Sequence, residues 1–129
     1  MDCPVCKDAM IVLEHDQVEI DHCVSCKGTW LDSGELELLL GHSQRKDQLL
    51  SSFEIEKNSK EKARTCPICL KKMEKVLWGA AKEVRIDRCR GGDGLWFDLG
   101  ELDRIIRRDG GGEHSEVLVW LREVFGKTR

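Results

Sequence analysis

Short cysteine pairs constrain the fold of this chain more than any other feature. The first C-x2-C pair is separated from the second by 16 residues. Each pair is typical of a tight turn that directs two thiolates at one ion, and two such pairs at this separation match a tetrahedral zinc ribbon. The sequence therefore predicts a closed four-cysteine zinc site formed by Cys3, Cys6, Cys23 and Cys26.

The cysteine pattern returns in the second half of the chain with its last member missing. Gly92 stands where the fourth cysteine would lie, and the three cysteines that remain are Cys66, Cys69 and Cys89. They predict a second zinc ion, with three ways of completing its coordination. Asp93 can be the fourth ligand, His114 can fold back past the triple glycine at 110–112, or water can fill an open position. A fourth outcome is that the second copy binds no metal.

The size of the repeats favours a structural metal. Each copy spans only about 40 to 45 residues, and units this small rarely bury enough apolar surface to fold without metal or disulfides. Only 5% of the residues are aromatic. An odd number of cysteines, seven, makes a disulfide framework the weaker reading. We expect a soluble protein of a reducing cytoplasm, with no signal peptide and no membrane partner.

Alternating apolar residues predict a β-hairpin and a short third strand in each copy. The strands are expected at 10–14, 17–22 and around Trp30 in the first copy, and at 73–78, 83–88 and around Trp96 in the second. A helix follows each third strand, since Asp32-x-x-Glu35 and Asp98-x-x-Glu101 have capping-box spacing. The tryptophans are expected to pack over the metal sites rather than stack on nucleic-acid bases.

These elements predict a small metal-stabilised α+β fold of two zinc ribbons. The first ribbon with its helix covers residues 1–41, a polar and partly helical linker covers 42–63, and the second, degenerate ribbon covers 64–109. An amphipathic C-terminal helix is predicted at 113–127. Its apolar stripe is expected to pack on the ribbons, or to form a homodimer or partner contact.

The motifs as a whole identify a family resemblance. The chain contains C-P-x-C, then I-D-x-C-x-x-C-x-G-x-W-L-D-x-G-E-L in the first copy and a close variant in the second. It resembles the transcription factor IIB-type zinc-ribbon family over about residues 1–40 and 64–107. The resemblance implies that the four cysteines of the first copy and the three of the second are zinc ligands. It also suggests a transcription-related role.

Charge separates the two ribbons and decides which partners suit them. Residues 1–40 carry nine acids against two lysines, which favours a basic protein partner over nucleic acid. Residues 66–109 carry ten basic residues against eight acids. Nucleic-acid binding by this second ribbon is the alternative hypothesis, although a salt-bridged surface explains the same mixture of charges. The residues concerned are Lys71, Lys72, Lys75, Lys82, Arg85, Arg88 and Arg90.

Enzymatic or redox activity at the incomplete second site is the third hypothesis. An open zinc position can activate water, but hydrolysis also needs a base and a pocket that a small ribbon hardly provides. Four thiolates at the first site can also hold a rubredoxin-like iron. Thiol exchange at C-P-x-C needs a βαβ context, which the sequence lacks. We therefore expect a non-enzymatic, zinc-stabilised interaction module.

Overall fold

A computed structural model shows a single antiparallel sheet. It describes residues 1–15, 17–40, 47–48, 50–57, 59–79, 82, 84–98 and 101. Within this part of the chain, seven strands lie in the order β1-β2-β3-β7-β6-β5-β4. The elements are β1 (Ile11–His15), β2 (Val18–His22), β3 (Thr29–Asp32), α1 (Ser33–Leu40), β4 (Glu54–Ile55), β5 (Glu74–Trp78), β6 (Val84–Arg88) and β7 (Gly94–Phe97).

Each copy of the cysteine pattern forms a three-stranded ribbon. β1 and β2 make a hairpin whose turn contains Gln17 in the left-handed region, and β3 pairs with β2. Val18 and Ile20 on β2 are buried while Glu19 between them is exposed, which explains why alternation identified the strand. β5, β6 and β7 repeat this arrangement. The strands predicted in both copies are confirmed.

The two ribbons join edge to edge into one sheet. β3 pairs antiparallel with β7, and Trp30 lies directly opposite Trp96, its counterpart in the other copy. The pairing is therefore pseudo-symmetric, with the approximate twofold axis passing between the two tryptophans. Sequence reasoning predicted two ribbons joined by a linker and did not anticipate this strand pairing, because register between distant segments is a tertiary property.

Two glycines make the junction possible. A Cβ atom on Gly28 would lie 2.2 Å from Cζ2 of Trp96, and one on Gly94 would lie 2.8 Å from Cζ2 of Trp30. Both tryptophans are completely buried, so neither ring has room to move aside. The glycine two residues before each tryptophan thus provides the space for the tryptophan of the other ribbon.

Among the described residues, one of the predicted helices is complete. The helix expected after the first ribbon is present as α1, Ser33–Leu40. Residues 47–48 and 50–51 of the predicted linker are helical, but a linker separate from the ribbons is not supported, because the segment also contributes β4, which pairs with β5 at the edge of the sheet. Pairing with β5, a tertiary contact, overrides the weak preference of this polar segment for a strand. The helices predicted after the second ribbon and at 113–127 lie mostly or wholly outside the described residues, as does any dimer contact through the latter.

Candidate metal centres

The first ribbon brings its four cysteines together. The four Sγ atoms lie within 4.8 Å of one another, and Sγ of Cys3 is 3.7 Å from Sγ of Cys26. A tetrahedral zinc ion with bonds of about 2.3 Å separates its sulfur ligands by about 3.8 Å. The cluster Cys3, Cys6, Cys23 and Cys26 therefore fits Zn²⁺ with little rearrangement.

Backbone turns aim these thiols at one point. The N–H groups of Val5 and Cys6 both point at Sγ of Cys3, at 3.3 Å, and the N–H of Cys26 points at Sγ of Cys23. Each turn closes on a residue in the left-handed region, Lys7 or Lys27, with φ of 68° and 66°. Such N–H···S contacts stabilise thiolates, since they place positive ends of peptide dipoles beside the negative sulfurs.

The second ribbon forms a cluster of three cysteines and one aspartate. One ligand atom from each of Cys66, Cys69, Cys89 and Asp93 lies within 4.8 Å of the others. Sγ of Cys69 is 3.8 Å from Sγ of Cys89, and Oδ2 of Asp93 is 3.7 Å from Sγ of Cys66 and 3.5 Å from Sγ of Cys89. Zinc bonded to oxygen at about 2.0 Å and sulfur at about 2.3 Å requires an O···S separation of about 3.5 Å. The donor set fits the same ion.

A shift in the turn explains how Asp93 reaches the position of the missing thiol. By alignment of the two copies, Gly92 corresponds to Cys26 and Asp93 to Lys27. In the first copy the left-handed residue is Lys27, whereas in the second it is Gly92, with φ of 86°. The turn also closes earlier, since the N–H of Gly92 donates to the carbonyl oxygen of Cys89 at 3.1 Å. Glycine adopts this φ without strain, and the longer aspartate side chain enters the cluster.

Burial affects whether each cysteine thiol is ionised before a metal binds. It raises the pKa of Cys66 to about 12, and the neighbouring thiols of Cys69 and Cys89 add to the rise. Burial also raises the pKa of Cys23, but N–H groups of Cys26 and Ser25 outweigh it and bring the pKa to about 7. Zinc must displace the remaining protons, so metal binding weakens as the pH falls.

The tryptophans connect the two clusters. Trp30 and Trp96 belong to one buried core with Cys3, Cys23, Cys66, Cys89 and Met73. The Nε1–H group of Trp30 donates to Oδ1 of Asp32 at 2.7 Å, and that of Trp96 donates to Oδ1 of Asp98 at 3.2 Å. The predicted packing of tryptophan over the metal sites is confirmed.

The aspartates have a role that capping-box spacing did not reveal. Glu101 does accept from the N–H of Asp98 at 2.8 Å, as a capping box requires. Glu35 instead accepts from the N–H of Glu19, at 2.8 Å. The repeated spacing G-x-W-x-D is the sequence signal for this packing. Its glycine makes room for the tryptophan of the other ribbon, and its aspartate accepts a hydrogen bond from the tryptophan of its own ribbon.

A third group of carboxylates is an ion-pair network. Glu61, Asp87 and Asp98 lie close enough to hold an ion, but Lys75 and Arg64 lie among them. Nη1 of Arg64 is 2.6 Å from Asp98 and 3.2 Å from Asp87, and Nζ of Lys75 is 2.9 Å from Glu61 and also contacts Asp87. These two cations neutralise the carboxylates and attach residues 61–64 to the second ribbon. The sequence left a salt-bridged surface as one explanation of the mixed charges of this ribbon, and it did not indicate the burial of Lys75 and Asp87.

The remaining candidate residues are placed as follows. His114 lies outside the described residues, so the structure gives no position for it. His22 is buried, and its Nδ1 is 3.4 Å from Oγ1 of Thr29. All seven cysteines have free thiols. Across the described part of the chain, no helix has the length and apolarity that a membrane span needs.

Comparison with known families agrees with this geometry. The family described as transcription factor zinc-finger, of the zinc-ribbon type, matches residues 2–42 and 65–108, about two thirds of the chain. Searches of curated proteins and of solved structures gave no match. Both cysteine clusters fall inside the matched segments, and the first fits zinc with four thiolates. The chain therefore belongs to the transcription factor zinc-finger family and is a zinc-binding protein of the zinc-ribbon type.

Proposed function

We propose that this protein is a non-enzymatic docking module in which two zinc ions stabilise the sheet and the first ribbon binds a basic protein partner. The observation that carries the proposal is an acidic face on the first ribbon, formed by Glu14, Glu19, Asp21 and Glu35. None of these carboxylates forms an ion pair with a lysine or arginine of the described residues. A surface of this kind favours a cationic partner.

Crowding of the carboxylates supports this assignment. Glu14 on β1 lies directly opposite Glu19 on β2, an arrangement that destabilises a sheet when both groups are charged. Contact with Glu14 raises the pKa of Glu19, and the charges of Glu35 and Asp21 add to the effect. The cations of a partner would relieve this electrostatic repulsion, and the relief would add to the free energy of binding.

The metal sites suit a structural role. The sulfurs of the clusters pack against the buried tryptophans at the junction of the ribbons, where bound zinc stabilises the whole sheet. In the second cluster we assign Asp93 as the fourth ligand, which closes the coordination that catalysis would need open. Three thiolates and one carboxylate would hold this ion less tightly than four thiolates hold the first.

The clefts of the described surface offer little for catalysis. A cleft of about 440 Å³ beside residues 55–63 has no cysteine in its lining, and one of about 330 Å³ lies between the two C-P-x-C turns. The lining of the latter contains Cys3 and Cys66, which are zinc ligands, and only Asp2 and Lys7 as other titratable side chains. A zinc hydrolase needs a general base beside an open metal position, and the four ligands that we assign to each zinc leave no such position.

The contacts of the second ribbon count against the nucleic-acid alternative. Arg85 pairs with Glu56 at 2.7 Å, and Arg88 pairs with Glu74 at 2.8 Å. Lys75 is buried among carboxylates, and Lys82 contacts Glu54. The phosphates of a nucleic acid would have to displace these carboxylates from the basic side chains before counterion release could favour binding. The family description makes a basic component of the transcription machinery the first class of partner to test.

Binding measurements on the zinc-loaded full chain test the proposal. The probes are a 20-residue lysine- and arginine-rich peptide, a 30-base-pair DNA duplex and a 20-nucleotide RNA, each titrated at 50 mM salt. We expect binding of the peptide alone, weakened at least tenfold when Glu14 and Glu19 are both replaced by glutamine. Micromolar, salt-dependent binding of DNA or RNA, or peptide binding unaffected by the double replacement, would overturn the proposal.

A further inference from the structure

The two edges of the sheet are covered differently. At one edge, β4 pairs with β5, so the second ribbon has a protected outer strand. β4 belongs to the segment 42–63 between the two ribbons, called the connector below. At the other edge, β1 has β2 on one side and no strand of the described residues on the other. Val12 and Ile11 in β1 are 61% and 44% exposed. Exposed edge strands present unpaired N–H and C=O groups and favour pairing with another chain.

The covered edge shows how an extended segment docks on a ribbon of this kind. The N–H of Glu56 donates to the carbonyl oxygen of Lys75 at 2.9 Å, continuing the pairing that begins at Glu54. The carboxylate of Glu56 forms two contacts with Arg85, at 2.7 and 2.9 Å, and Glu54 contacts Lys82. The connector thus supplies acids at alternate positions to the basic side chains of Lys82 and Arg85 beside β5.

The open edge has the same architecture with the opposite charge. Counting from the paired cysteines, the Glu14–Glu19 pair of the first ribbon corresponds to the Leu77–Arg85 pair of the second. Where Arg85 meets the connector's glutamates, the first ribbon therefore presents carboxylates. β1 itself, Ile-Val-Leu-Glu-His, contains no lysine or proline of the kind that usually blocks an exposed edge.

We propose that β1 is the docking edge for an extended segment of a partner protein that carries lysine or arginine at alternate positions. The segment adds to the sheet as an antiparallel strand, as β4 does on β5, and its cations contact Glu14 and Glu19. Backbone pairing provides affinity and the alternating charges provide specificity. The inference rests on the proposed function and deepens it by naming the geometry of binding.

Register identifies the backbone groups that would pair. Lys75 turns its carbonyl oxygen toward β4, and the residue at the equivalent position of β1 is Val12, which lies opposite Asp21 as Lys75 lies opposite Asp87. In a strand, the N–H and C=O of one residue point to the same side. The N–H of Val12 therefore points away from β2, so Val12→Pro removes an outward donor and leaves the β1–β2 hydrogen bonds intact.

The test measures binding of a blocked ten-residue peptide of alternating arginine and valine to the zinc-loaded full chain. We expect Val12→Pro and the double variant Glu14→Gln/Glu19→Gln each to weaken binding at least tenfold. Val12→Ala, which keeps the N–H, and Glu54→Gln on the opposite edge should change it less than threefold. An alternating glutamate and valine peptide should not bind. Zinc content and melting temperature establish that each variant is folded.

The outcomes separate the docking geometry from the proposed function. If the basic peptide binds through Glu14 and Glu19 but Val12→Pro has no effect, strand addition is wrong while the acidic docking face remains. If no basic peptide binds, both are wrong. Hydrogen exchange of the Val12 amide in the free protein gives a further check. If exchange is slow and its rate depends on protein concentration, a second copy of the chain covers β1. If exchange is slow at every protein concentration, another segment of the same chain covers it. Either result overturns the proposal.

Discussion

Replacing Asp93 with alanine removes the one carboxylate of the second cluster, which we propose as its fourth zinc ligand. Oδ2 of Asp93 lies 3.5 and 3.7 Å from the sulfurs of Cys89 and Cys66, the separations that a shared zinc ion requires. A structural zinc site contributes about 10 to 16 kcal/mol of apparent binding energy, or about 2.5 to 4 kcal/mol for each of four ligands. At about 1.4 kcal/mol for each factor of ten, zinc affinity at this site should fall by about two to three orders of magnitude.

Metal content and chelator competition measure the effect. The wild-type chain should contain two zinc ions, of which a colorimetric chelator removes one at a lower concentration than the other. Asp93→Ala should lose the weaker ion and keep the tighter one. Lys27→Ala is the matched control, because Lys27 occupies the equivalent position after a cysteine that already completes its site. It should keep both ions.

Two results would contradict this reasoning. If Asp93→Ala keeps two zinc ions with unchanged chelator competition, water or another group completes the second site. If the wild-type chain contains a single zinc ion, the second ribbon is held by its tryptophan core without metal. Iron in protein purified without added metal would change the identity of the first site as well.

Three further changes test the packing and the charges. Gly28→Ala should lower the free energy of unfolding by about 3 kcal/mol, because its methyl group collides with a buried tryptophan; Gly34→Ala, which meets no atom within 4 Å, should not destabilise the protein in the same urea titration. Lys75→Met leaves the buried Asp87 with one cation in place of two and should cost about 3 kcal/mol in that assay. An unchanged value for either variant would refute its stated role. Burial raises the pKa of Glu101 to about 8 from an ordinary 4.5, so its ionisation opposes folding and stability falls as the pH rises between these values. Glu101→Gln should therefore raise the melting temperature of the zinc-loaded protein at pH 8, and a lower value would contradict the assigned pKa.

Local sequence determined the ribbons themselves. The spacing of the cysteine pairs requires two turns that share an ion, and alternation along 18–22 and 84–88 predicts strands with one buried face. These are short-range properties, since a few neighbouring residues fix each turn and each strand. The same reasoning included Asp93 among three candidates for the fourth ligand. The choice depended on a backbone turn at Gly92 that residue spacing does not specify.

The tertiary structure decided how the ribbons meet and which surfaces remain open. Pairing of Trp30 with Trp96 joins segments 66 residues apart, and β4 pairs with β5 although its own sequence predicts no strand. These contacts depend on which edges are free when both ribbons have formed, so they are set by packing and hydrogen bonding rather than by local preference. Cysteine spacing thus determined the four-thiolate zinc site, whereas the sheet determined that β1 lies at an edge with no further strand of the described residues beside it.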